Sequence, residues 1–349
     1  MGVIDHEQQL TTTALELVAP GKGILAADES SGTIKRRFDS INVECTETNR
    51  RDYRELLFRT EGVNQYVSGV ILFDETIRQE GSDKTPLVKV LSDQNIIPGI
   101  KMDKGTQPLP TSPTELITEG LDGLRDRLNE YAYLGARFTK WRGVITIGDD
   151  IPTSYCIDTN AHALARFAAL SQEAGLVPIV EPEVLMDGDH DIDRCFAVSE
   201  ATLAEVFAQL SRQGVLLEGS LLKPSMVLSG STAMNRASPE EVAEKTISCF
   251  KRVVPAAIPG IVFLSGGQSD QEATVNLNAI NAYAANVDAP WQLSFSFGRG
   301  LQAAPLKAWA GQRQNTQLAM EAFYHRAMLT SAARKGSYVP DMEKGLSIV

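Results

Sequence analysis

No apolar run in this sequence reaches the roughly 20 residues that a membrane-spanning helix requires. Cysteine is also scarce, with 4 residues among 349. Cys45, Cys156, Cys195 and Cys249 are far apart and form no CxxC pair, so we expect buried free thiols in a reducing compartment. The first ten residues are polar and are not expected to form a signal peptide. A cytoplasmic protein without a membrane partner is the expectation.

The sequence has fewer basic residues than acidic ones. The sequence has 33 Lys and Arg residues against 44 Asp and Glu residues, and its formal net charge is -11. This balance argues against a nucleic-acid partner or an anionic membrane surface. An anionic small molecule remains compatible with it, since a local cluster of cations can outweigh the global charge.

Metal-binding patterns are missing as well. The four histidines are scattered and show no zinc-ligand spacing. Residues 187–193 resemble the start of a calcium loop but lack its central glycine and closing glutamate, which predicts an exposed acidic loop instead. We therefore expect neither a metal nor a cofactor.

Eight short apolar runs are present, at intervals of roughly 30 to 45 residues, the size of a strand–helix unit. A stretch with helical spacing follows each run. Alternating strands and helices imply a parallel sheet, and eight strands suggest closure, so the predicted fold is α/β, a single (β/α)₈ TIM barrel. We expect one domain over residues 1–349, with a short C-terminal tail from about residue 337. The predicted strands are residues 23–28, 67–73, 97–103, 136–142, 177–183, 217–223, 261–265 and 292–297.

Helix boundaries are marked in three places. Ser238, Pro239 and Glu241 read as an N-cap, a first-turn proline and a capping box. Two further helices are predicted over residues 161–173 and 200–212, where glycines at 175 and 214 stand in C-cap positions.

Chemically active side chains stand at the ends of the predicted strands. Catalytic groups of a TIM barrel project from the carboxyl ends of its strands. A single lysine at such an end commonly extends to solvent, but three lysines, three carboxylates and an arginine on one rim predict an active site. The set comprises Asp28, Lys101, Lys140, Glu181, Glu183, Lys223, Ser265, Gly266, Gly267, Gly298 and Arg299.

The alternation of side chains along two predicted strands indicates which charged residues face the same side. Glu181 and Glu183 point to one side of their strand, and Lys140 and Arg142 do the same on theirs. If that side is the barrel interior, a carboxylate pair faces a cation pair. The alternative is two exposed ion pairs beyond the strand ends.

Lys223 is a lone cation at the end of an apolar run. A lysine that is desolvated beside another cation, here Lys140, has a lowered pKa, and its neutral amine can attack a carbonyl. The resulting iminium withdraws electrons from a neighbouring carbon–carbon bond. Glu181 and Asp28 are placed to move the protons that this chemistry requires.

Two glycine-containing loops predict phosphate binding. Residues 264–267 and 297–300 follow the last two strands, where TIM barrels often hold a phosphate. Their backbone N–H groups can approach an anion closely, and Arg299 can bind it bidentately. Residues 35–37 follow the first strand and form either a second phosphate site or a solvated helix face.

With these residues in view, the chain resembles the class I fructose-1,6-bisphosphate aldolases from about Leu10 to Pro340. The strings that carry the resemblance are GKGILAADES (residues 21–30), FTKWR (138–142), VEPE (180–183), LLKP (221–224) and LSGGQ (264–268). The resemblance implies a glycolytic and gluconeogenic homotetramer that cleaves fructose 1,6-bisphosphate reversibly without metal. Its partners would be phosphorylated ketoses and trioses.

The resemblance also implies a role for each site residue. Lys223 would form the Schiff base, Glu181 would be the main acid/base, Glu183 and Lys140 would support it, and Asp28 would assist cleavage between C3 and C4. The 1-phosphate would bind to Ser265, Gly266, Gly298 and Arg299. The 6-phosphate end would be lined by Ser30, Arg37 and Lys101, with Arg142 also in the pocket.

Two departures and three alternatives accompany this interpretation. Thr33 replaces a frequent serine, and the sequence ends at residues 345–349 without the terminal tyrosine of animal members, which leaves Tyr338 as the nearest tyrosine. We expect rim groups such as Glu181 to transfer the proton that the terminal tyrosine of animal members helps to exchange on the enamine.

The alternatives are a Schiff-base aldolase for another ketose such as sedoheptulose 1,7-bisphosphate, a protein-binding scaffold with secondary catalysis, and a metal-dependent aldolase, which the missing histidine ligands disfavour.

Overall fold

A computed structural model describes residues 6–345. Eight parallel strands close into a barrel in the order β1-β10-β9-β8-β7-β6-β3-β2, and β4 and β5 form a separate antiparallel hairpin. The strands are β1 (Gly23–Ala27), β2 (Val67–Leu72), β3 (Ile97–Lys101), β4 (Thr106–Leu109), β5 (Ser112–Thr118), β6 (Phe138–Ile145), β7 (Val177–Val184), β8 (Leu221–Leu222), β9 (Gly260–Phe263) and β10 (Gln292–Phe297). The predicted TIM barrel is confirmed.

Helices connect the strands. They are α1 (Glu7–Leu17), α2 (Ser31–Asp39), α3 (Glu47–Phe58), α4 (Asp74–Ile77), α5 (Leu87–Ser92), α6 (Leu124–Tyr133), α7 (Ser154–Glu173), α8 (Ile192–Arg212), α9 (Pro239–Val253), α10 (Asp270–Asn286), α11 (Arg299–Trp309) and α12 (Thr316–Arg334). Short 3₁₀ helices occur at Val63–Gln65, Leu217–Gly219, Arg313–Asn315 and Pro340–Gly345. None of the helices between residues 6 and 345 combines the length and apolar character needed to cross a membrane.

All eight predicted runs overlap a barrel strand, and the largest difference in length concerns the run at 217–223. There the chain forms a 3₁₀ helix over Leu217–Gly219, and β8 has only two residues. The buried Gln172 amide explains this, because its Nε2 donates to the carbonyl oxygens of Leu216 at 2.7 Å and Gly219 at 3.2 Å. These carbonyls are therefore held by a side chain and not by a neighbouring strand.

The N-cap Ser238, the first-turn proline and the C-cap glycines are confirmed, although two helices are longer than expected. The Ser238 hydroxyl accepts from the Glu241 amide at the start of α9. Helices α7 and α8 begin several residues before positions 161 and 200, at the N-caps Thr153 and Asp191. The first turn of α8 already places the buried Ile192 and Cys195 at helical spacing, so the sequence analysis began this helix too late.

The hairpin β4–β5 was not predicted and lies beside the barrel opening. The Thr118 hydroxyl donates to the carbonyl oxygen of Arg142 at 2.6 Å. The buried Glu115 carboxylate accepts from both the amide and the hydroxyl of Thr153, each at 2.7 Å. The hairpin is thus fixed to β6 at one end and to the start of α7 at the other.

Apolar side chains fill the barrel interior below the strand ends. Inward-facing residues of six strands form one buried cluster with Leu10, Ala14 and Leu17 of α1: Ile24, Ala26, Ile71, Phe138, Val177, Ile179, Leu221 and Val262. This cluster leaves only the carboxyl ends of the strands open for polar groups. A second cluster packs the outer faces of the strands against the helices.

All four cysteines are free, as expected, but Cys45 is only partly buried, whereas Cys156, Cys195 and Cys249 are buried. The expectation of buried thiols is wrong for Cys45, which follows α2 in a surface loop.

The C-terminal tail was predicted from about residue 337. Within it, residues 340–345 form a 3₁₀ helix, and residues 346–349 lie outside the described residues.

Candidate active site

A cleft of about 1350 Å³ opens at the carboxyl ends of the barrel strands. Every residue predicted for catalysis or phosphate binding lines it: Asp28, Ser30, Arg37, Lys101, Lys140, Arg142, Glu181, Glu183, Lys223, Ser265, Gly266, Gly298 and Arg299. These residues come from seven of the eight barrel strands or the segments that follow them. Tyr338, in contrast, does not line the cleft.

Strand register brings the carboxylate pair and the cation pair together. Strand β6 lies beside β7 with Arg142 opposite Glu181. Across this register Arg142 Nε donates to Glu183, and Lys140 Nζ lies 3.2 Å from Glu181 Oε2. All four residues lie within β6 and β7, and only Arg142, at 41%, is exposed, so the alternative of two exposed ion pairs beyond the strand ends is wrong.

Lys223 follows the two-residue strand β8. Its backbone amide donates to the Val180 carbonyl oxygen at 2.8 Å, which continues the β7–β8 pairing and aims the side chain into the barrel. Its Nζ lies 3.0 Å from Glu181 Oε1. A buried amine next to a single carboxylate oxygen is arranged for proton exchange.

Lys140 is surrounded by carboxylates. Its Nζ lies 2.6 Å from Asp28, 3.2 Å from Glu181 and 3.9 Å from Asp103. Burial alone would lower the pKa of Lys140, but attraction to these carboxylates outweighs it and raises that pKa well above its usual range. Burial likewise opposes ionisation of Asp28, yet Lys140 and Lys223 hold the pKa of Asp28 well below its usual range. Lys140 is thus a fixed cation and Asp28 a fixed anion.

The predicted phosphate loops meet at one edge of the cleft. The amide of Gly300 donates to the Ser265 hydroxyl at 3.3 Å, which joins the loop after β9 to the start of α11. Arg299 Nη2 donates to the Gln268 carbonyl oxygen at 2.6 Å. Backbone amides at a helix start, together with a guanidinium, form a suitable anion site.

Arg37, Ser30 and Lys101 also line the cleft. Arg37 on α2 is ion-paired with the buried Glu29. A Cβ atom added to Gly298 would lie 3.6 Å from Arg37 Nη2, so this guanidinium extends toward the loop that carries Gly298. The Ser30 and Thr33 hydroxyls are 3.2 Å apart, and Lys101 is ion-paired with Asp103.

Asp103, Glu29 and Ser296 are among the lining residues that the sequence analysis missed. Asp103 follows Lys101 by two positions and contacts it. Glu29 accepts from Arg37 and from Gln302 Nε2, the latter at 2.6 Å. Ser296 lies on β10 in a strict alternation with Ser294, so its hydroxyl is buried and faces the cleft. The alternation at 294–297 was the available signal for Ser296, whereas Asp103 and Glu29 required the tertiary structure.

The chemistry of the cleft defines a class of enzyme. Between residues 6 and 345, no three His, Cys, Asp or Glu side chains are grouped so that they could hold a metal ion. A buried lysine beside a carboxylate at the carboxyl end of a TIM barrel, next to phosphate-binding loops, is typical of Schiff-base enzymes that act on phosphorylated carbonyl compounds.

Comparison with known proteins narrows the class to one family. The profile of the family "Fructose-bisphosphate aldolase class-I" matches residues 9–347. A "Probable fructose-bisphosphate aldolase class 1" of Xanthomonas campestris pv. campestris is 56% identical over 332 residues, which cover 95% of this chain and 98% of the relative. "Fructose-bisphosphate aldolase 6, cytosolic" of Arabidopsis thaliana is 53% identical over 97% of this chain and 93% of its own length.

A solved structure agrees with these relatives. Fructose-bisphosphate aldolase from Plasmodium falciparum, crystallised with TRAP and a small-molecule inhibitor, superimposes with a TM-score of 0.94 at 49% identity, over 96% of each chain. The chain therefore belongs to the class I fructose-bisphosphate aldolase family. It is a metal-independent carbon–carbon lyase that cleaves fructose 1,6-bisphosphate reversibly through a lysine Schiff base.

Proposed function

We propose that Lys223 is the lysine that forms the Schiff base. The observation that carries this assignment is the 3.0 Å contact between Lys223 Nζ and Glu181 Oε1 in the buried part of the cleft. The neutral amine attacks the C2 carbonyl of the open-chain ketose, and the carbinolamine loses water to give an iminium. Lys140 is an alternative on the same rim, but three carboxylates within 4 Å of its Nζ favour its charged form. Lys101 is a further alternative, which the trapping experiment below distinguishes.

Glu181 is the main proton-transfer group in this proposal. One of its oxygens faces Lys223 and the other faces Lys140, so it can exchange a proton with the amine while Lys140 stays charged. A base removes the proton of the C4 hydroxyl, the C3–C4 bond breaks, and its electron pair moves into the iminium to form an enamine. Glyceraldehyde 3-phosphate leaves at this step.

The second half of the reaction restores the enzyme. Protonation of the enamine at C3 regenerates the iminium, and water then releases dihydroxyacetone phosphate from Lys223. Asp28 assists cleavage as a fixed anion beside Lys140, which lies 2.6 Å away. Glu183 and Arg142 keep each other in place through their ion pair.

The two phosphates bind at separate positions in the cleft in this proposal. Ser265, Gly266, Gly298 and Arg299 bind the 1-phosphate next to the reacting carbonyl. Ser30, Arg37 and Lys101 bind the 6-phosphate, and the ion pair of Arg37 with Glu29 orients the guanidinium toward the cleft. A requirement for both phosphates would favour a bisphosphate over a monophosphate substrate.

The assembly and location follow from family membership alone. We propose a cytoplasmic location, which the cytosolic relative in Arabidopsis thaliana supports, and a homotetramer, which the family resemblance implies. We also propose that residues 1–349 form one domain with a short tail from about residue 337, because the barrel elements run without a linker through the described part of the chain.

Reductive trapping tests the Schiff-base assignment. The protein is incubated with dihydroxyacetone phosphate, reduced with borohydride and mapped by mass spectrometry, and we expect the adduct on Lys223. Lys223→Arg, which keeps the charge but is not a nucleophile, should abolish both trapping and turnover. An adduct on Lys101 or Lys140 would show that the assignment is wrong.

A further inference from the structure

Asp103 lies in the segment between β3 and the β4–β5 hairpin, and its side chain is 4% exposed. Its carboxylate is ion-paired with Lys101 Nζ, which also donates to the Asp103 carbonyl oxygen at 2.9 Å. Lys140 Nζ lies 3.9 Å from the second carboxylate oxygen. One buried carboxylate therefore contacts two lysines of the cleft at once.

The same carboxylate also holds the backbone around it. Oδ1 accepts from the Gly105 amide at 3.2 Å, and Oδ2 accepts from the Arg142 amide at 3.4 Å. Gly105 begins the connection to the hairpin, and Arg142 lies on β6. Asp103 thus links β3, β6 and the hairpin at the cleft wall, and only an acceptor with two oxygens can make all of these contacts.

The surroundings of Asp103 are strongly cationic. Lys101 and Lys140 lie on neighbouring strands, with Lys101 opposite Lys140 in the β3–β6 register. Arg142 and Arg127 are also attracted electrostatically to Asp103. On its other side, Lys140 is attracted to the carboxylates of Asp28 and Glu181. Burial, followed by repulsion from Lys140, lowers the pKa of Lys101, and attraction to Asp103 opposes that decrease.

We propose that Asp103 is a positioning residue that fixes the ammonium groups of Lys101 and Lys140 and keeps Lys101 available as a cation for the substrate phosphate. This inference rests on the proposed function, since it takes Lys101 to be part of the 6-phosphate site. Asp103 acts through the two lysines and does not itself need to touch the substrate.

The test uses Asp103→Asn, which keeps the shape and one acceptor but removes the charge. Without that charge the pKa of Lys101 should fall further, so Lys101 loses its proton as the pH rises, and phosphate binding weakens in the same direction. We expect KM for fructose 1,6-bisphosphate to increase by about tenfold from about pH 7 to about pH 9, with a much flatter profile in the unmodified protein. Asp103→Ser, which is smaller and also neutral, serves the same purpose if the asparagine variant does not fold.

A second substitution separates charge from structure. In the double variant Lys101→Arg/Asp103→Asn the guanidinium stays protonated throughout this range, so the KM profile should become flat again. Asp93→Asn removes a carboxylate of the exposed pair with Lys89 and should leave the profile unchanged. A flat profile in Asp103→Asn, or a persistent slope in the double variant, would overturn the inference.

Borohydride trapping of each variant distinguishes this inference from the proposed function. An adduct on Lys223 together with an unchanged KM profile in Asp103→Asn would overturn only the role of Asp103. An adduct on another lysine in the unmodified protein would overturn the Schiff-base assignment, whatever the profile shows.

Discussion

The Nζ atom of Lys223 lies 3.0 Å from Oε1 of Glu181, and each of these side chains is 5% exposed. Because both groups are buried, their interaction is little screened by water or salt. In the proposed mechanism the contact joins the nucleophile directly to the main proton-transfer group. On that proposal, steps that change the charge of Lys223 should involve Glu181.

Replacement of Glu181 by glutamine should separate proton transfer from binding. The variant keeps the size of the side chain but cannot accept a proton, so we expect kcat for cleavage to fall by about 10²- to 10⁴-fold, as is typical for a general acid/base. A coupled assay measures the cleavage rate. Trapping on Lys223 should still occur, but slowly.

The matched control is Glu173→Gln, which removes a carboxylate of an exposed pair with Arg125. It should keep the unmodified kcat. Unchanged turnover in Glu181→Gln would contradict the role of this residue.

Arg299 should bind the phosphate next to the reacting carbonyl. A charged bidentate contact typically contributes about 1.5 to 3 kcal/mol, so Arg299→Ala should reduce kcat/KM by about 10- to 100-fold. Fructose 1,6-bisphosphate and fructose 1-phosphate should be affected alike. Arg313→Ala, at an exposed arginine before α12, is the control. A decrease for the bisphosphate alone would place Arg299 at the other end of the substrate.

Unlike Arg299→Ala, Arg37→Ala should impair only the bisphosphate substrate. In Arg37→Ala the KM for fructose 1,6-bisphosphate should increase by about tenfold or more, because a charged contact to the 6-phosphate is lost. KM for fructose 1-phosphate should stay within about twofold of its original value. Steady-state kinetics on both substrates provides the measurement, and Lys35→Ala, in the exposed pair with Asp39, is the control. An equal effect on both substrates would mean that Arg37 does not discriminate between the two ends.

The barrel and most of its rim could be predicted because a parallel barrel strand is buried on both faces. Such strands appear as continuous apolar runs, and a charged residue at the end of one is conspicuous. The eight predicted runs and all predicted site residues therefore lie where the barrel rule places them. The roles of these residues remain predictions.

The missed features depend on contacts that a linear pattern cannot show. Hairpin β4–β5 has mostly exposed or half-buried residues and contains Pro108, so it gives no apolar run. Glu29 and Asp103 look like ordinary surface carboxylates in the sequence. Both are buried in the fold, where Gln302 contacts Glu29 and the Arg142 amide contacts Asp103 from distant positions in the sequence.

The ion pair of Asp28 with Lys140 should make stability depend on pH at the acidic end. The pKa of Asp28 is lowered in the folded state, so its contribution is present above its unfolded pKa of about 4 and is lost as the pH falls further. The pKa of Lys140 is raised in the folded state, so the contribution of that group is fully present below its unfolded pKa of about 10 and is lost as the pH rises from there through its folded pKa. Asp28→Asn should therefore lower the free energy of unfolding by about 3 kcal/mol near pH 7.

Urea unfolding at a series of pH values checks this prediction. The difference between the unmodified protein and Asp28→Asn should be constant above about pH 5 and should shrink below about pH 4. Asp93→Asn should show a small difference, since its pair with Lys89 is exposed. A difference for Asp28→Asn that does not depend on pH would show that the ionised carboxylate is not the source of the stabilisation.

Two glycines of the proposed 1-phosphate site should differ in their tolerance of a methyl group. A Cβ atom at Gly266 would lie 2.6 Å from Glu183 Oε1 and 3.1 Å from a methyl carbon of Leu264. Glu183 cannot move away freely, because it is buried and ion-paired with Arg142. A Cβ atom at Gly298 would have no neighbour closer than the Ala26 carbonyl oxygen at 3.5 Å.

Overpacking at a buried site costs about 1 to 3 kcal/mol, which corresponds to about 5- to 100-fold in kcat/KM if it acts on the reacting geometry. Gly266→Ala should therefore lose activity over that range, while Gly298→Ala should stay within about threefold of the unmodified protein. Gly32→Ala, on α2 with no atom within 4 Å of the added methyl, is the control for helix effects. Equal losses at Gly266 and Gly298 would point to the backbone amides, and not to the position of Glu183, as the feature that the glycines protect.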